Sequence, residues 1–244
     1  MYGYIFRRLL ATIPVMAVVA IVVFLLLHLT PGDPAAIIAG DYARPEDIAR
    51  IRANLGLDKP LHIQFFSWVG NVLRGDLGTS IFSNLPVTKL IGQRLEPTVA
   101  LSISTIIFAI IVAIPLGVIA AWRAGSWLDR AVMGFAVMGF SVPVFVVGYV
   151  LMYVFSLKLG WFPVQGYKPI GEGFWPFARS IALPTFALGI VYIALIARIT
   201  RASVMEVLTE DYIRTAKAKG LGNVALLLGH ALRNAAVPLS LIHI

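Results

Sequence analysis

Long apolar runs alternate with polar segments along the whole chain. The apolar runs cover residues 9–29, 98–121, 131–157 and 181–197, and a fifth run begins near Ala235. A helix needs about 20 predominantly apolar residues to cross the hydrocarbon core of a bilayer, so these runs have the length of transmembrane helices. The pattern predicts an all-α, polytopic membrane protein.

The composition supports this class. Hydrophobic residues make up 59% of the chain and charged residues only 13%, whereas a soluble domain carries about 25% charged residues. The net charge of +8 does not indicate a nucleic-acid partner, because the cations are scattered beside apolar runs and form no basic stripe interleaved with aromatic residues. The sequence contains no cysteine, which excludes disulfides and thiolate sites.

The cations of the short loops predict the orientation. Arg7 and Arg8 precede the first run, Arg123 and Arg130 flank the turn after the second, and a third group follows the fourth run. All three groups fall on one side of the membrane if the four runs are spans, and the positive-inside rule makes that side the cytoplasm. We therefore expect a cytoplasmic N-terminus, with residues 30–97 and 158–180 outside.

The outer segment, residues 30–97, has the pattern of two helices. Pro45 opens the first, which ends at Gly56, and Pro60 opens the second, which stops near Gly75. Both carry an apolar stripe that must be covered. A helical cap packed on the outer ends of the spans would cover them, and a cap that also receives a soluble partner is the alternative.

The second, third and fourth runs contain no Asp, Glu, Lys, Arg or His. Ion-coupled carriers usually place ionisable residues at membrane depth, so a proton relay is not expected here, although backbone carbonyls could still hold sodium. Prolines inside the runs predict bends. One segment could form an irregular turn that lines a path for solute, with packing-driven kinks as the alternative: Gly139, Phe140, Ser141, Val142 and Pro143.

The sequence shows no catalytic or cofactor-binding motif. It lacks a phosphate-binding glycine loop, a His-Glu-x-x-His helix and a Gly-x-Ser-x-Gly turn. The four histidines are isolated along the chain. We therefore expect no enzyme activity, no metal site and no cofactor on this chain.

A short charged helix, residues 210–220, stands between apolar runs. Thr209 is its predicted N-cap, acidic residues begin it and basic residues end it, as the helix dipole favours, and Gly220 supplies a left-handed stop. Ala216 and Ala218 would let another backbone approach closely, while Tyr212, Ile213 and Leu221 are apolar anchors. The pattern fits a docking helix for another protein, or equally an amphipathic helix lying on anionic lipid.

Residues 211–238, DYIRTAKAKGLGNVALLLGHALRNAAVP, resemble the cytoplasmic signature loop of ABC importer permeases, specifically the peptide and nickel branch. The general pattern has Glu-Ala-Ala, three residues and Gly; here Arg214, Thr215 and Ala216 precede Gly220, the form typical of that branch. Further landmarks of the branch occur in the same order: RRLL (7–10), PGDP (31–34), LGLD (55–58), GDLG (75–78), IPLG (114–117), SVPVF (141–145) and LGWFPV (159–164). LEPT (95–98) departs from the branch's Leu-Pro-x-Thr and leaves the start of the second span open.

The resemblance implies an ABC importer permease fold in a bacterial or archaeal plasma membrane. It implies four kinds of neighbour: a second homologous permease subunit, two ATPase subunits that carry the ATP, an extracytoplasmic solute-binding protein and the lipid bilayer. A cytoplasmic coupling loop, 198–234, would contact the ATPases. The residues expected to couple are Glu210, Asp211, Tyr212, Arg214, Thr215, Ala216, Lys217, Ala218, Lys219, Gly220 and Leu221. An ion-coupled carrier and a non-transport scaffold remain the rival classes.

The resemblance also divides the chain. It gives an N-terminus and first span (1–29), an extracytoplasmic helical segment (30–97) and a permease core (98–238). The family carries six helices, so the chain is expected to be truncated before the last helices. Residues 239–244, LSLIHI, match one reading frame of a transposon-type sequencing adapter, which predicts a tail that is not native.

Overall fold

The structure is a computed structural model that describes residues 2–29, 32–40, 43–80 and 83–235. The predicted fifth span, apart from Ala235, and the predicted non-native tail lie outside these residues. Within them every regular element is helical, so the prediction of an all-α fold is confirmed. The chain divides into two compact units, residues 1–94 and 95–244.

The described part of the first unit contains four complete helices: α1 (Tyr2–Leu29), α2 (Pro34–Ala39), α3 (Pro45–Asn54) and α4 (Leu61–Leu73). The two helices expected in the outer segment are α3 and α4, and α2 was not expected. The end of α1 carries the contacts to α4. Phe24 stacks edge-on against Phe65 at a centroid distance of 5.3 Å, and His28 Nε2 lies 3.1 Å from Gln64 Oε1. The apolar stripe of α4 is therefore covered in part by α1.

Asp33 joins the short helix α2 to α3. Its carboxylate accepts a hydrogen bond from the backbone N–H of Ala35, which caps α2. The second oxygen accepts from Arg52 Nη2 at 2.5 Å. One carboxylate therefore takes part in both the cap of α2 and an ion pair to α3, which links the start of α2 to α3.

The second unit is built on long helices. Helix α5 (Val87–Trp122) begins in the first unit and lies mostly in the second. It is followed by α6 (Trp127–Ser141), α7 (Val144–Leu151), which continues as a π-helix (Met152–Lys158), and α8 (Phe174–Leu208). Two short elements follow: α9 (Asp211–Ala218) and α10 (Asn223–Ala225), which continues through a π-helical stretch (Leu226–Ala231) to Ala235.

The third predicted span is one helix pair broken at Pro143. Helix α6 ends at Ser141, Val142 is extended, and α7 leaves α6 at an angle of 100°. The pair nevertheless follows α8 from one end to the other. Asp129 contacts Arg201, a Cβ added to Gly139 would meet Ala194, and Met152 lines a cavity together with Ile181. The pair therefore lies along α8 and, taken as one broken span, corresponds to the third apolar run.

Three helices are long and apolar enough to cross a membrane without a break: 3–26 within α1, α5 and α8. With the bent pair counted as one span, the described residues contain up to four candidate spans, the number that the hydrophobic pattern predicts. The observed helices are longer than the apolar runs, because their polar ends continue beyond the hydrocarbon-length segment. The helices continue through Pro14, Pro115 and Pro184, so among the four prolines of the predicted spans only Pro143 separates two helices.

Small residues hold the second unit together. Its central cluster is formed largely by alanines, with Val132 and two isoleucines of α8. Gly139 is buried where α6 crosses α8, and an added Cβ would lie 2.9 Å from Ala194 Cβ. Lipid tails are as apolar as a leucine side chain, so membrane helices associate by close packing of small residues. The contact of α6 with α8 depends on this close approach.

Candidate coupling surface and helix break

Helix α9 forms one end of the second unit, which we call the α9 end. It begins at Asp211, and the preceding Glu210 makes no side-chain capping bond. The prediction of Thr209 as the N-cap is wrong: its hydroxyl donates to Glu206 O at 2.7 Å and closes the last turn of α8 instead. The predicted left-handed stop is confirmed, because Gly220 has φ of +81° and Leu221 N donates back to Ala216 O.

The inner side of α9 packs on the chain's own core. Ile213 is only 3% exposed and belongs to an apolar cluster, here called the α9 cluster, which joins α5, α8, α9 and the final helix. The buried members are Val118, Ala121, Val204, Ile213, Leu226, Ala231 and Ala235. Ala216 packs against the same cluster, so its small side chain serves contact within this chain. Helix α9 is thus connected to two spans through this cluster.

Tyr212 provides a second attachment for α9. It is 40% exposed, and its hydroxyl accepts a hydrogen bond from Asn234 Nδ2 at 2.6 Å. The predicted anchoring role of Tyr212 and Ile213 therefore applies to the chain's own last described helix. Leu221 is half-buried beside the Gly220 stop.

The outer side of α9 is cationic and exposed. Its exposed residues are Asp211, Arg214, Thr215, Lys217 and Ala218, followed by Lys219 and Gly220. Arg214 lies 3.4 Å from the Asp211 carboxylate, and both side chains are largely exposed, at 73% and 96%. An exposed pair of this kind contributes little to stability. The outer side is therefore a charged surface that the described part of this chain leaves uncovered.

The structure separates the residues proposed to line a solute path. Gly139 is buried against α8, whereas Phe140, Ser141 and Pro143 are exposed at the break between α6 and α7. Ser141 Oγ donates to Val137 O at 2.9 Å. Because proline has no N–H, the Gly139 carbonyl lacks the donor that would continue the helix. The predicted irregular turn is present, and four of the five residues named by the sequence, all but Gly139, are exposed there.

A partly buried ion pair near the α9 end, between Asp129 and Arg201, was not predicted from the sequence. Asp129 is 4% exposed, and its two carboxylate oxygens accept hydrogen bonds from Arg201 Nε and Nη2 at 2.5 and 2.7 Å. The backbone N–H of Gly125 also donates to Asp129. The signal in the sequence is an Asp three residues after Ser126, a helix-start pattern, but nothing local identifies its partner 72 residues away.

Among the openings that the described residues form, two lie between α8 and α5. A cavity of about 380 Å³ lies at the end opposite α9, between α5, α7, the 163–167 loop and the start of α8. A groove of about 470 Å³ runs between α5 and α8 and is lined mostly by apolar side chains. Thr105 in this groove is buried, and its hydroxyl has no partner among the described residues. The described residues contain no cluster of three or more side chains suited to a metal ion.

The protein combines apolar spans, one of them broken, with a helix that is held between the second and fourth spans at one end. That helix presents a charged surface that the described residues leave uncovered. These features are those of a multi-pass membrane permease. Residues 113–242 match the family described as "Binding-protein-dependent transport system inner membrane component". Residues 1–102 match the N-terminal part of the same kind of transport component. The chain belongs to this family.

Close relatives agree with this assignment. "Probable peptide ABC transporter permease protein y4tP" of Sinorhizobium fredii is 53% identical over 236 residues, which cover 97% of this chain and 75% of the relative. "Glutathione transport system permease protein GsiC" of Salmonella typhi is 44% identical over 238 residues, covering 98% and 75%. The predicted resemblance to ABC importer permeases is confirmed.

Family membership settles the class of function. The chain is a permease subunit of an ABC importer and is not an enzyme. Permeases of this kind operate with ATPase and solute-binding partners. The rival classes of ion-coupled carrier and non-transport scaffold are therefore excluded.

Proposed function

We propose that this subunit forms half of the membrane path of a peptide importer. Peptide and glutathione appear in the names of its relatives, and both are peptides with free carboxylates. In this proposal a second homologous permease completes the path, two ATPase subunits bind and hydrolyse ATP, and a binding protein delivers the solute from outside. The chain itself carries no cofactor.

The charge distribution supports an inner-membrane orientation with a cytoplasmic N-terminus. Arg123 and Arg130 flank the turn that Asp129 and Arg201 tie to α8 at the α9 end. Arg214, Lys217 and Lys219 lie on α9 at this same end. Cationic short loops remain in the cytoplasm during insertion, so the α9 end would face the ATPases.

The two-sided character of α9 is the single observation that carries the coupling role. Its exposed side presents Arg214, Lys217 and Lys219, while Ile213 is buried with residues of α5 and α8. Glu210, Asp211, Thr215, Ala218, Gly220 and Leu221 complete the expected coupling set. A partner that holds the exposed side would transmit displacement through Ile213, Ala216 and Tyr212 to the spans. An interfacial lipid helix would not need this fixed connection to the cores of two spans.

Coupling requires two arrangements whose relative energies the partner can change. Closure of the ATPases on ATP would move α9 together with the α9 cluster, because packed helices move as rigid bodies. The break at Pro143 separates α6, which is tied to the α9 end, from α7, which lies near the opposite cavity. Phe140, Ser141 and Pro143 would then line the path, and Gly139 would contribute by close packing against α8.

Site-directed cross-linking tests the coupling role. Residues 1–244 contain no cysteine, so Thr215→Cys and Ala218→Cys each place a thiol on the exposed side of α9, in a full-length subunit from which any cysteine beyond these residues has been removed. In membranes that contain the full-length subunit and its co-expressed partners, a short bifunctional thiol reagent should join each variant to the ATPase. The yield should change between nucleotide-free and ATP-bound states.

Gln165→Cys is the matched control, because Gln165 is exposed in the loop at the opposite end of the unit. It should not capture the ATPase in either state. Equal capture from Gln165 and Ala218, or no capture from α9 in any nucleotide state, would refute the coupling role.

A further inference from the structure

Arg198 of α8 reaches the helix break. Its guanidinium carbon lies 5.6 Å from the centroid of the Phe140 ring, within the range of a cation–π interaction. Phe140 is the last residue but one of α6. Helical side chains lean toward the N-terminus of their helix, so the Arg198 side chain extends from the α9 end toward the middle of α8.

The depth of this charge follows from the helix geometry. The Asp129–Arg201 pair adjoins the turn between α5 and α6, which must lie near the membrane surface because a tight turn in lipid would expose unpaired backbone groups. Phe140 follows Asp129 by eleven residues, a rise of about 16 Å along α6. Arg198 precedes Arg201 by only three residues, a rise of about 4.5 Å along α8, and its side chain and the Phe140 ring lean toward each other. The guanidinium therefore lies between the membrane surface and the middle of the hydrocarbon core, on the inner side of the Asp129–Arg201 pair.

Arg198 carries its charge there without a carboxylate. Among the described residues it forms no ion pair with an acidic side chain, and it is exposed on this subunit. Its neighbour Arg201, one turn closer to the α9 end, is neutralised by Asp129. An ionisable side chain at this depth faces a water-filled cavity or a binding partner, because exposure to lipid tails is costly.

We propose that Arg198 binds a carboxylate of the transported solute at the break between α6 and α7. A guanidinium can donate two parallel hydrogen bonds to one carboxylate, and such pairs are stronger than neutral hydrogen bonds. The Phe140 ring holds the guanidinium at the break, and the exposed Ser141 hydroxyl retains lone pairs that can accept from a solute N–H. The inference rests on the proposed import of peptides. It predicts that efficient transport requires a free carboxylate on the solute.

Uptake of a peptide and its amide tests this role. The full-length subunit with its partners would be reconstituted in vesicles, and ATP-driven uptake of radiolabelled tri-alanine would be compared with that of tri-alanine amide. Arg198→Gln should lower the rate for the free acid about tenfold relative to the unsubstituted transporter. It should change the rate for the amide by less than twofold, and Arg198→Lys should be intermediate for the acid.

Arg123→Gln is the matched control, because it removes an exposed arginine from the turn between α5 and α6. It should leave the acid-to-amide ratio unchanged. Equal losses for both peptides in Arg198→Gln would overturn the inference, since they would indicate an ion pair with the second permease or a packing role. Unchanged uptake of both would overturn it too. Uptake of neither peptide by the unsubstituted transporter would refute peptide import itself and the inference with it.

A second measurement is independent of delivery by the binding protein. Arg198→Cys in the assembled transporter should react with a charged, water-soluble thiol reagent, and millimolar tri-alanine should slow the reaction. Ile103→Cys, on an exposed apolar position of α5, should remain unlabelled. No labelling at position 198, or labelling that tri-alanine does not slow, would contradict a solute-binding role.

Discussion

Arg201 donates hydrogen bonds to both oxygens of the Asp129 carboxylate, at 2.5 and 2.7 Å. The pair fastens the start of α6 to α8 one helical turn before Val204, a member of the α9 cluster. The same carboxylate also holds the turn between α5 and α6, because Gly125 N–H donates to it at 2.9 Å. Displacement of α9 would therefore reach α6 as well as α5 and α8.

Breaking this pair should destabilise the second unit. Asp129→Asn leaves the Arg201 charge without its counter-ion, and loss of a fully buried partner costs about 3–5 kcal/mol. The Arg201 side chain is 25% exposed, so solvent reduces the expected cost to about 2 kcal/mol. The melting temperature of the purified subunit in detergent should fall by roughly 4–8 °C.

Asp211→Asn provides the control, since the Asp211 side chain is 96% exposed. Its effect should stay within about 0.5 kcal/mol. The double variant Asp129→Asn with Arg201→Gln should melt no lower than Asp129→Asn alone, because contacting residues are not additive. A full additional loss in the double variant would show that the two side chains do not act as a pair.

A methyl group at Gly139 should separate α6 from α8. The Cβ of Gly139→Ala would lie 2.9 Å from Ala194 Cβ and 3.4 Å from Ile190 O, so one helix must shift. Overpacking of this kind costs about 1–3 kcal/mol. Gly134→Ala in the same helix meets nothing within 4 Å and should be neutral or stabilising by up to about 1 kcal/mol. The melting temperatures of the two variants should shift in opposite directions. Equal shifts would argue against the close approach of α6 to α8 at Gly139.

Truncation of Ile213 should weaken transmission while leaving the docking surface in place. Ile213 is 3% exposed in the α9 cluster, and loss of a buried isoleucine to alanine costs about 2–5 kcal/mol. We expect Ile213→Ala to lower the amount of solute moved per ATP hydrolysed, with cross-linking from Ala218→Cys retained. Val224→Ala removes a side chain that is 69% exposed and should leave this ratio unchanged. Loss of cross-linking in Ile213→Ala would instead show that α9 had unfolded.

Acid should loosen the first unit through Asp33. The hydrogen bond from Arg52 holds the pKa of the Asp33 carboxyl below its usual value. A lowered pKa means that the stabilisation is complete above the usual value of about 3.9 and is lost as the pH falls through the lower, folded-state pKa. Hydrogen exchange of α2 and α3 amides should therefore accelerate below about pH 4, relative to reference peptides at the same pH.

Asp33→Asn should show this faster exchange already at neutral pH and respond little to further acidification. Asp58→Asn, which alters an exposed carboxylate, should behave like the unsubstituted chain. A response to acid that is the same in Asp33→Asn and the unsubstituted chain would assign the effect to other carboxylates.

The spans and the break could be predicted because their signals are local. Apolar runs of this length predict the spans. Pro143 predicts the break, because proline lacks the N–H that would continue a helix. The capping assignment at Thr209 failed because its hydroxyl donates backward to Glu206 O and α9 begins one residue later than predicted. Closing the end of α8 at Glu206 O competed with capping α9.

The tertiary relationships could not be predicted in the same way. Asp129 and Arg201 are 72 residues apart. The cations that follow the fourth apolar run have the sequence pattern of loop charges, but those up to Arg201 lie on α8, because this helix continues to Leu208. That continuation places Arg198 on a helix whose side chains point toward mid-membrane. The amphipathic pattern of α9 predicted two sides, but only the packing of Ile213 and Ala216 shows that the inner side belongs to this chain's own core.

The ratio of peptide uptake to ATP hydrolysis tests the central claim most directly. Arg214→Glu with Lys217→Glu reverses the charge of the exposed side of α9 and leaves the buried Ile213 unchanged. In vesicles containing the assembled transporter, this variant should insert normally and retain ATP hydrolysis, while uptake of tri-alanine falls more than about tenfold, the equivalent of at least 1.4 kcal/mol of lost coupling. Uptake per ATP equal to that of the unsubstituted transporter would contradict the account.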